Sequence, residues 1–307
     1  MKPLHIQTPL YESQALSLRT GRSVWLKLEA LQPSGSFKIR GIGYACQEYA
    51  RRGAQRFISS SGGNAGIAVA YAGRHLSIPV VVVVPETTSQ LAKNLIRQEN
   101  AEIIVHGQSW QEANALAVSM LKETDAFLHP FDDPLLWQGH ATMIDEVAQS
   151  GAQPDAVVLS VGGGGLLCGV LEGLHRNHWQ NVPVIAVETD GADSFARSVL
   201  AGYRVELPAI TSIATSLGAR KVSERAFDWT KQHQIHSVVV SDRAAVSACE
   251  QFMVDHRIVV EPACGAALAV VYQQVAELEP FKSPLIIVCG GATASIDQLQ
   301  QWSRKLL

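Results

Sequence analysis

The residues in this sequence that are best suited to chemistry lie in short segments rich in glycine and serine. One of them is a run of four consecutive glycines at 162–165, directly after the apolar stretch 156–161. Inside a helix or strand each glycine would cost about 0.5–1 kcal/mol relative to alanine, whereas glycine is favourable where the backbone must approach a ligand closely. A helical pattern begins near Leu166, so the first N–H groups and the dipole of that helix would favour a phosphate at this loop.

A lysine in the segment 33–41 has the surroundings of a nucleophile. Ser34 and Ser36 are predicted to cap a helix that begins near Phe37. Lys38 would then lie in the first turn, where the helix dipole disfavours the ammonium form and so favours the free amine. Phe37 beside it offers a flat face for stacking. A lone lysine is usually a solvated surface charge, and it is these neighbours that indicate a chemical role.

Two further segments have the composition of binding loops. The segment 60–66 (SSGGNAG) places hydroxyl, amide and backbone donors before a helix. A small carboxylate fits this set, with Asn64 free to bond a neighbouring oxygen. Cys289 follows the apolar stretch 285–288, and ligands in open α/β sheets bind beyond the carboxyl ends of strands. The segment 261–267 is interpreted only as a close-packed helix start.

A dinucleotide is the main alternative ligand for the glycine run. Glu188 ends the next apolar stretch, where the ribose-binding acid of a dinucleotide site would lie. The glycine spacing argues against this ligand, because Leu167 or Cys168, depending on the register, replaces the third glycine of the G-x-G-x-x-G fingerprint. The spacing weakens the dinucleotide alternative without eliminating it.

Apolar stretches alternate with helical patterns along most of the chain, which predicts an α/β protein with parallel sheets covered by helices. The predicted strands are 23–28, 56–60, 79–84, 102–105, 156–161, 184–188, 237–240 and 285–288. Helical patterns lie between most of them, for example at 109–123 and 243–256. Two strand–glycine loop–helix units predict two lobes with facing ligand loops. The chain is expected to cross between the lobes near 129–134, which is rich in helix-breaking residues.

The composition fits a large buried core. The chain has 307 residues, of which 47% are hydrophobic and 17% charged, against about a quarter charged in typical soluble domains. The net charge of −3 gives no basic excess, so we expect neither a nucleic-acid partner nor a membrane partner. The sequence shows neither a signal peptide nor a membrane-spanning stretch. Five scattered cysteines without a Cys-x-x-Cys pair predict reduced thiols and a cytoplasmic location.

Together these segments resemble the pyridoxal-phosphate (PLP) enzymes of fold type II, and among them the L-serine dehydratase / L-threonine deaminase family. The resemblance is closest to the compact serine dehydratases and the serine dehydratase-like branch. It runs from Thr8 to Gly291 and is carried by the segments 34–41, 61–66, 162–165 and 289–291. The resemblance implies a tryptophan synthase β-like fold with PLP between two open parallel-sheet lobes. It also implies a large PLP-binding domain of residues 1–38 and 134–307 and a small closing domain of residues 39–133.

The resemblance further implies roles for the matched residues. Lys38 would bind PLP covalently and act in catalysis, with Phe37 against one face of the ring. Asn64 would bond the ring hydroxyl oxygen, and Cys289 would meet the pyridine nitrogen. The phosphate would be held by Gly162, Gly163, Gly164 and Gly165. The substrate carboxylate would be bound by Ser61, which also has a catalytic role, and by Gly62, Gly63 and Asn64. A monovalent cation such as K+ would have oxygen ligands at Gly162, Glu188, Ala192, Leu217 and Ala219.

The activity that the resemblance implies is β-elimination of L-serine to pyruvate and ammonia, and of L-threonine to 2-oxobutanoate, by a homodimer. Two departures qualify it. Gly62 stands where the more active serine dehydratases have alanine, which predicts modest turnover, and Ser216 stands where we expect alanine, near the ring. Two alternatives stay open: a serine racemase or β-replacement synthase of the same fold, and a binding protein or dinucleotide enzyme that does not use Lys38.

Overall fold

The computed structural model describes residues 2–306, and within that range the chain forms ten strands in two sheets. The strands are β1 (Leu10–Glu12), β2 (Trp25–Lys27), β3 (Arg56–Ser59), β4 (Val80–Val84), β5 (Glu102–Val105), β6 (Asp125–Phe127), β7 (Ala156–Ser160), β8 (Val184–Thr189), β9 (Ile235–Val240) and β10 (Pro284–Ile287).

Helices connect most of these strands and cover the sheets. They are α1 (Gln14–Thr20), α2 (Lys38–Arg51), α3 (Asn64–Leu76), α4 (Gln90–Gln98), α5 (Trp110–Ser119), α6 (Pro134–Gln149), α7 (Gly165–Arg176), α8 (Ser194–Ala201), α9 (Glu224–Trp229), α10 (Asp242–His256), α11 (Pro262–Tyr272) and α12 (Ile296–Leu306). None of the helices within residues 2–306 has both the length and the apolar character needed to cross a membrane.

The two sheets differ in size and position along the chain. The larger has the order β1-β2-β10-β7-β8-β9, and all its strand pairs are parallel except β1 with β2. The smaller has the order β5-β4-β3-β6 and is entirely parallel. All four strands of the smaller sheet come from the segment 56–127, whereas the larger sheet combines both ends of the chain. The α/β class and the parallel sheets predicted from the sequence are confirmed.

The topology brings two of the predicted binding loops to one edge of the larger sheet. β7 and β10 are adjacent and parallel, with Pro284 opposite Ala156. The glycine run follows β7 and Cys289 follows β10, so both leave the sheet at its carboxyl edge, where ligands bind in open α/β sheets.

Helix α11 is buried along its whole length, as expected for a helix that is apolar on all sides.

The sequence located most of the strands, because continuous apolar runs mark strands that are buried on both faces. β4, β7, β8 and β10 are buried along their whole length. The predictions missed β1 and β6, which have only three residues each and show no resolvable alternation. Helix α5 ends at Ser119 rather than at 123, since the Lys122 N–H binds the Asp125 side chain in a turn (2.8 Å).

Candidate active site

Lys38 is the first residue of α2, as the sequence predicted, and its amine is enclosed by protein although part of the side chain remains accessible. The amine donates a hydrogen bond to the Pro130 carbonyl oxygen (2.6 Å). Burial lowers the pKa of Lys38 to about 8, while Cys289 and Glu261 act in the opposite direction. Near neutral pH a larger fraction of this amine than of an ordinary lysine is therefore unprotonated, which is the nucleophilic form.

The predicted serine caps of α2 are wrong. The N-cap residue is Phe37, which makes no side-chain cap bond. The hydroxyl groups of Ser34 and Ser36 are buried and have no hydrogen-bond partner among residues 2–306. A side chain from α6 takes over this function: the backbone N–H of Gly41 donates to His140 Nδ1 (3.2 Å).

The serines fail to cap α2 because their segment is bound to the loop after β10. The Phe37 N–H donates to the Cys289 carbonyl oxygen (3.1 Å), and the Gly291 N–H donates to the Gly35 carbonyl oxygen (2.9 Å). Ser36 forms an isolated β-bridge with Gly290. These bonds fix the backbone before α2 and bring Lys38 beside the end of β10.

Phe37 lies beside the Lys38 amine, with the nitrogen 5.2 Å from the centre of the ring. The Phe37 ring also packs against His140, with ring centroids 4.9 Å apart and an interplanar angle of 55°. His140 is fully buried, and burial lowers its pKa well below the ordinary histidine value, so its ring is neutral. A neutral imidazole is required here, because Nδ1 must accept the Gly41 N–H.

The glycine run forms a tight loop between β7 and α7, and the helix begins at Gly165. Gly164 has a φ of +95°, which side chains disfavour, and a Cβ at this position would lie 2.4 Å from the Ala226 Cβ. A Cβ on Gly163 would lie 2.3 Å from the Phe131 ring, and one on Gly165 2.7 Å from the Phe131 carbonyl oxygen. The loop is therefore packed too tightly for side chains, and the backbone N–H groups at the N-terminus of α7 favour an anion there.

Asn64 is the first residue of α3 and connects this helix with the loops of the larger sheet. Its Oδ1 accepts the Ala292 backbone N–H (2.9 Å). Its Nδ2 donates to Glu261 Oε1 (2.8 Å) and has a longer contact with Ser216 Oγ (3.4 Å). The buried Asn64 side chain thus bonds residues that are up to 228 positions away from it in the sequence.

Ser61, Gly62 and Gly63 form a half-buried turn immediately before α3. Ser61 Oγ accepts the Gly63 N–H (3.4 Å), and a Cβ on Gly66 would lie 1.9 Å from the Ser61 carbonyl oxygen. Because this turn precedes a helix of 13 residues, its donors and the helix dipole favour a carboxylate.

Cys289 and Glu261 lie near Lys38 and are both buried. A hydrogen bond with Cys264, together with burial, raises the pKa of the Cys289 thiol well above its usual range, so the thiol is neutral. Glu261 is a site residue that was not predicted from the sequence. The sequence offered one indication of its role: Glu261 is an acidic residue directly before Pro262, the first residue of the apolar helix α11.

The residues assigned to a cation lie around the loop after β7 and the end of β8. A Cβ on Gly162 would lie 3.0 Å from the Leu217 Cα, so these two segments are in contact. The Glu188 carboxylate accepts the backbone N–H groups of Phe195 (2.9 Å) and Ala196 (2.7 Å). Burial raises the pKa of Glu188 to about 8. Glu188 is therefore bound to the start of α8, rather than free to hold a ribose.

Ala192 and Ala219 complete the assigned set. The Ala192 N–H donates to the Thr189 carbonyl oxygen (2.9 Å), and the Ala219 N–H donates to the Leu217 carbonyl oxygen (2.8 Å). Within residues 2–306 no group of three or more histidine, cysteine or carboxylate side chains is arranged to hold a metal ion. Any cation here would depend mainly on backbone carbonyl oxygens.

Both the sequence and the fold of this chain are similar to those of known proteins. The profile of the family described as "Pyridoxal-phosphate dependent enzyme" matches residues 1–290. The chain is 47% identical to the Homo sapiens protein named L-serine dehydratase/L-threonine deaminase, over 99% of this chain and 96% of that protein. It is 49% identical to the Mus musculus protein named serine dehydratase-like, over 98% and 94% of the two chains. The structure of a fungal L-serine ammonia-lyase from Rhizomucor miehei matches with a TM-score of 0.95 and 35% identity over 100% of both chains.

Proposed function

Because the chain belongs to the family of pyridoxal-phosphate dependent enzymes, we propose that it converts L-serine to pyruvate and ammonia and L-threonine to 2-oxobutanoate and ammonia. The observation that carries this proposal is the enclosed Lys38 amine, which lies near the neutral Cys289 thiol and bonds the Pro130 carbonyl. The next residue, Phe131, packs against the glycine run. The proposal is supported by 47% identity to the protein named L-serine dehydratase/L-threonine deaminase and 49% identity to the protein named serine dehydratase-like, in both cases over nearly the whole chain.

The residues of the site fit pyridoxal phosphate. The glycine run packs too closely against Phe131, Leu217 and Ala226 to accept a Cβ, and its N–H groups at the N-terminus of α7 suit a phosphate. Lys38 provides an amine for the aldehyde. When bound, this cofactor stores the electron pair of a substrate carbanion. Asn64 would hold the ring hydroxyl oxygen, and Phe37 would cover one face of the ring.

Lys38 has two tasks in this proposal. Its amine attaches the cofactor, and as a free amine it accepts the α-proton of the substrate. A pKa of about 8 suits both tasks, because the amine is partly unprotonated near neutral pH and still basic enough to take a proton.

Cys289 would meet the pyridine nitrogen and favour elimination. Its neutral thiol does not provide the negative charge with which an aspartate stabilises a protonated ring nitrogen. A less protonated ring is a weaker electron sink, which suits rapid loss of the β-hydroxyl better than transamination.

The turn before α3 would bind the substrate carboxylate, through Ser61, Gly62, Gly63 and Asn64. The N-terminal N–H groups of α3 and its dipole favour a negative group at this place. Since α3 follows β3 of the smaller sheet, this turn would move with residues 39–133 as they close on the large domain of residues 1–38 and 134–307.

A monovalent cation, K+ in our proposal, would be bound by Gly162, Glu188, Ala192, Leu217 and Ala219. The support is the buried Glu188 carboxylate, which accepts two backbone N–H groups and whose pKa burial raises to about 8. A bound cation would favour its charged form. Replacing K+ by a bulky organic cation is expected to lower activity, and equal rates in both would contradict this site.

The remaining parts of the proposal concern the setting of the enzyme. We propose that it is a homodimer in the cytoplasm and acts on small amino acids, without a nucleic-acid or membrane partner. The five free, buried cysteines support a reducing compartment. Sedimentation analysis would test the dimer, since a single species with the mass of one chain would contradict it.

The activity is tested by product analysis with L-serine as the sole substrate. We expect pyruvate and ammonia in equal amounts, and 2-oxobutanoate from L-threonine. D-Serine as the main product would identify a racemase. Pyruvate-free turnover that needs a second nucleophile would identify a β-replacement synthase. Either result would overturn the proposed function and leave the cofactor assignment in place.

A further inference from the structure

Glu261 carries a buried carboxylate in the proposed cofactor site that the mechanism above leaves without a task. It is only 4% exposed. Its Oε1 accepts a hydrogen bond from Asn64 Nδ2 (2.8 Å), and its Oε2 accepts one from the Thr293 hydroxyl (2.8 Å). Gly291 makes room for this carboxylate, because a Cβ there would lie 2.1 Å from Glu261 Cδ. The chain thus holds a carboxylate here despite the cost of burying it.

The partners of Asn64 determine which way its amide faces. The Ala292 backbone N–H can only donate, so the atom opposite it must be Oδ1. The Glu261 carboxylate accepts, so the atom opposite it must be Nδ2. Without the carboxylate, one of the two constraints on this amide would be lost.

The Asn64 amide nitrogen has two hydrogens, and Glu261 uses one of them. The second has only the 3.4 Å contact with Ser216 Oγ, which is long for a hydrogen bond. Ser216 is exposed, so this second N–H lies at the accessible side of the site. A ligand oxygen with negative charge would replace the Ser216 contact by a shorter, charge-assisted bond.

We propose that Glu261 is a positioning residue for the cofactor: its carboxylate fixes the Asn64 amide so that the second Nδ2 hydrogen is presented to the phenolic oxygen of a bound pyridine ring. The inference rests on the proposed function, since the phenolic oxygen is that of pyridoxal phosphate. If the amide turned over, Oδ1 would face that oxygen and two acceptors would repel each other.

The test is a double-mutant cycle between Glu261→Gln and Asn64→Ala, with pyridoxal phosphate itself as the probe. Glutamine keeps the shape of Glu261 but can donate as well as accept, so only the Ala292 backbone N–H still opposes the turned-over Asn64 amide. We expect Glu261→Gln to weaken pyridoxal phosphate binding to the apo protein by about tenfold, the effect of losing one charge-assisted hydrogen bond. We also expect a shift of absorbance between the visible and near-ultraviolet bands, which report the protonation of the phenolic oxygen.

The cycle distinguishes positioning from a general structural role. If Glu261 acts through Asn64, the substitution has no further effect on binding in the Asn64→Ala background. An equal loss of affinity in both backgrounds would overturn the inference. So would an unchanged dissociation constant and spectrum in Glu261→Gln.

Ser216→Ala provides a second test that does not depend on the folding of the Glu261 variant. It removes the long contact to Asn64 and the contact of Ser216 with the Glu261 side chain, but it leaves the Asn64–Glu261 hydrogen bond in place. We therefore expect pyridoxal phosphate to bind at least as tightly as in the unaltered protein. A tenfold loss would overturn the inference, because the second N–H would then depend on Ser216. A complete lack of binding by the unaltered protein would instead overturn the proposed function, and this inference with it.

Discussion

The Lys38 amine donates to the carbonyl oxygen of Pro130 at 2.6 Å, and this bond links the first residue of α2 to the loop between β6 and α6. A carbonyl oxygen is a neutral acceptor, so it holds the amine in place without supplying a full negative charge. The amine therefore keeps the lowered pKa that burial gives it.

The pH dependence of cofactor loading follows from this amine. Because the pKa of Lys38 is lowered to about 8, about half of the amine is free at pH 8 and about nine-tenths at pH 9. The rate of covalent attachment of pyridoxal phosphate to the apo protein should reach half its maximum near pH 8 and level off above about pH 9. Stopped-flow absorbance measures this rate, and a rate that still climbs steeply between about pH 9 and 10 would indicate an ordinary lysine.

The glycine loop can be tested with two alanine substitutions that share one backbone feature. Gly164 and Gly202 both have positive φ, +95° and +75°, so alanine at either position should cost about 1 kcal/mol of unfolding free energy. Only at Gly164 would the new Cβ collide, 2.4 Å from that of Ala226. We expect Gly164→Ala to weaken pyridoxal phosphate binding at least tenfold, and Gly202→Ala to leave binding unchanged. Equal affinities in the two variants would show that the loop does not hold the phosphate.

Gly62 provides a prediction that differs from the expectation based on resemblance. Alanine at this position was expected to accompany higher turnover, but here its Cβ would lie 2.5 Å from Thr88 Oγ1 and 2.7 Å from Thr88 Cγ2. Gly62→Ala alone should lower kcat/KM for L-serine several-fold, because the carboxylate-binding turn must move. Adding Thr88→Ala should restore most of the loss. A higher kcat/KM in Gly62→Ala than in the unaltered protein would contradict this prediction, because it would mean that the Thr88 side chain moves freely out of the way.

Cys289→Asp tests the role of the ring-nitrogen partner. An aspartate would favour the protonated ring nitrogen and prolong the life of the substrate carbanion. Pyruvate formation should slow, and transamination should increase from a low level. The new carboxylate would also lie near Glu261, so Cys289→Ser serves as a control for size without charge. An unchanged ratio of the two reactions would contradict the assignment of Cys289 to the ring nitrogen.

The sequence predicted those parts of the site that depend on neighbours along the chain. Lys38 in the first turn of α2 and the glycine run at the start of α7 are confirmed, because helix starts and strand ends have local patterns. The serine caps were wrong because hydrogen bonds from the loop after β10 fix their segment. No local pattern contains those bonds.

Contacts between distant segments were beyond the reach of a single sequence. Glu261 binds Asn64 across 197 positions, and His140 binds Gly41 across 99. A buried acid is unusual, and Glu261 could have been noticed for its place in an apolar segment. Its partners depend on how the loops after β3 and β10 meet, which only the three-dimensional structure shows.

The central claim, that Lys38 binds pyridoxal phosphate and that the enzyme eliminates from L-serine, is tested most directly by one experiment on the purified protein. The protein is loaded with pyridoxal phosphate, its visible spectrum is recorded, and L-serine is then added while pyruvate is measured. Borohydride reduction of a parallel sample, followed by peptide mass analysis, locates the attached group. We predict a visible band that changes on addition of L-serine, pyruvate in the same solution, and the reduced cofactor on Lys38. No band after loading, or a cofactor attached to another lysine, would contradict the account.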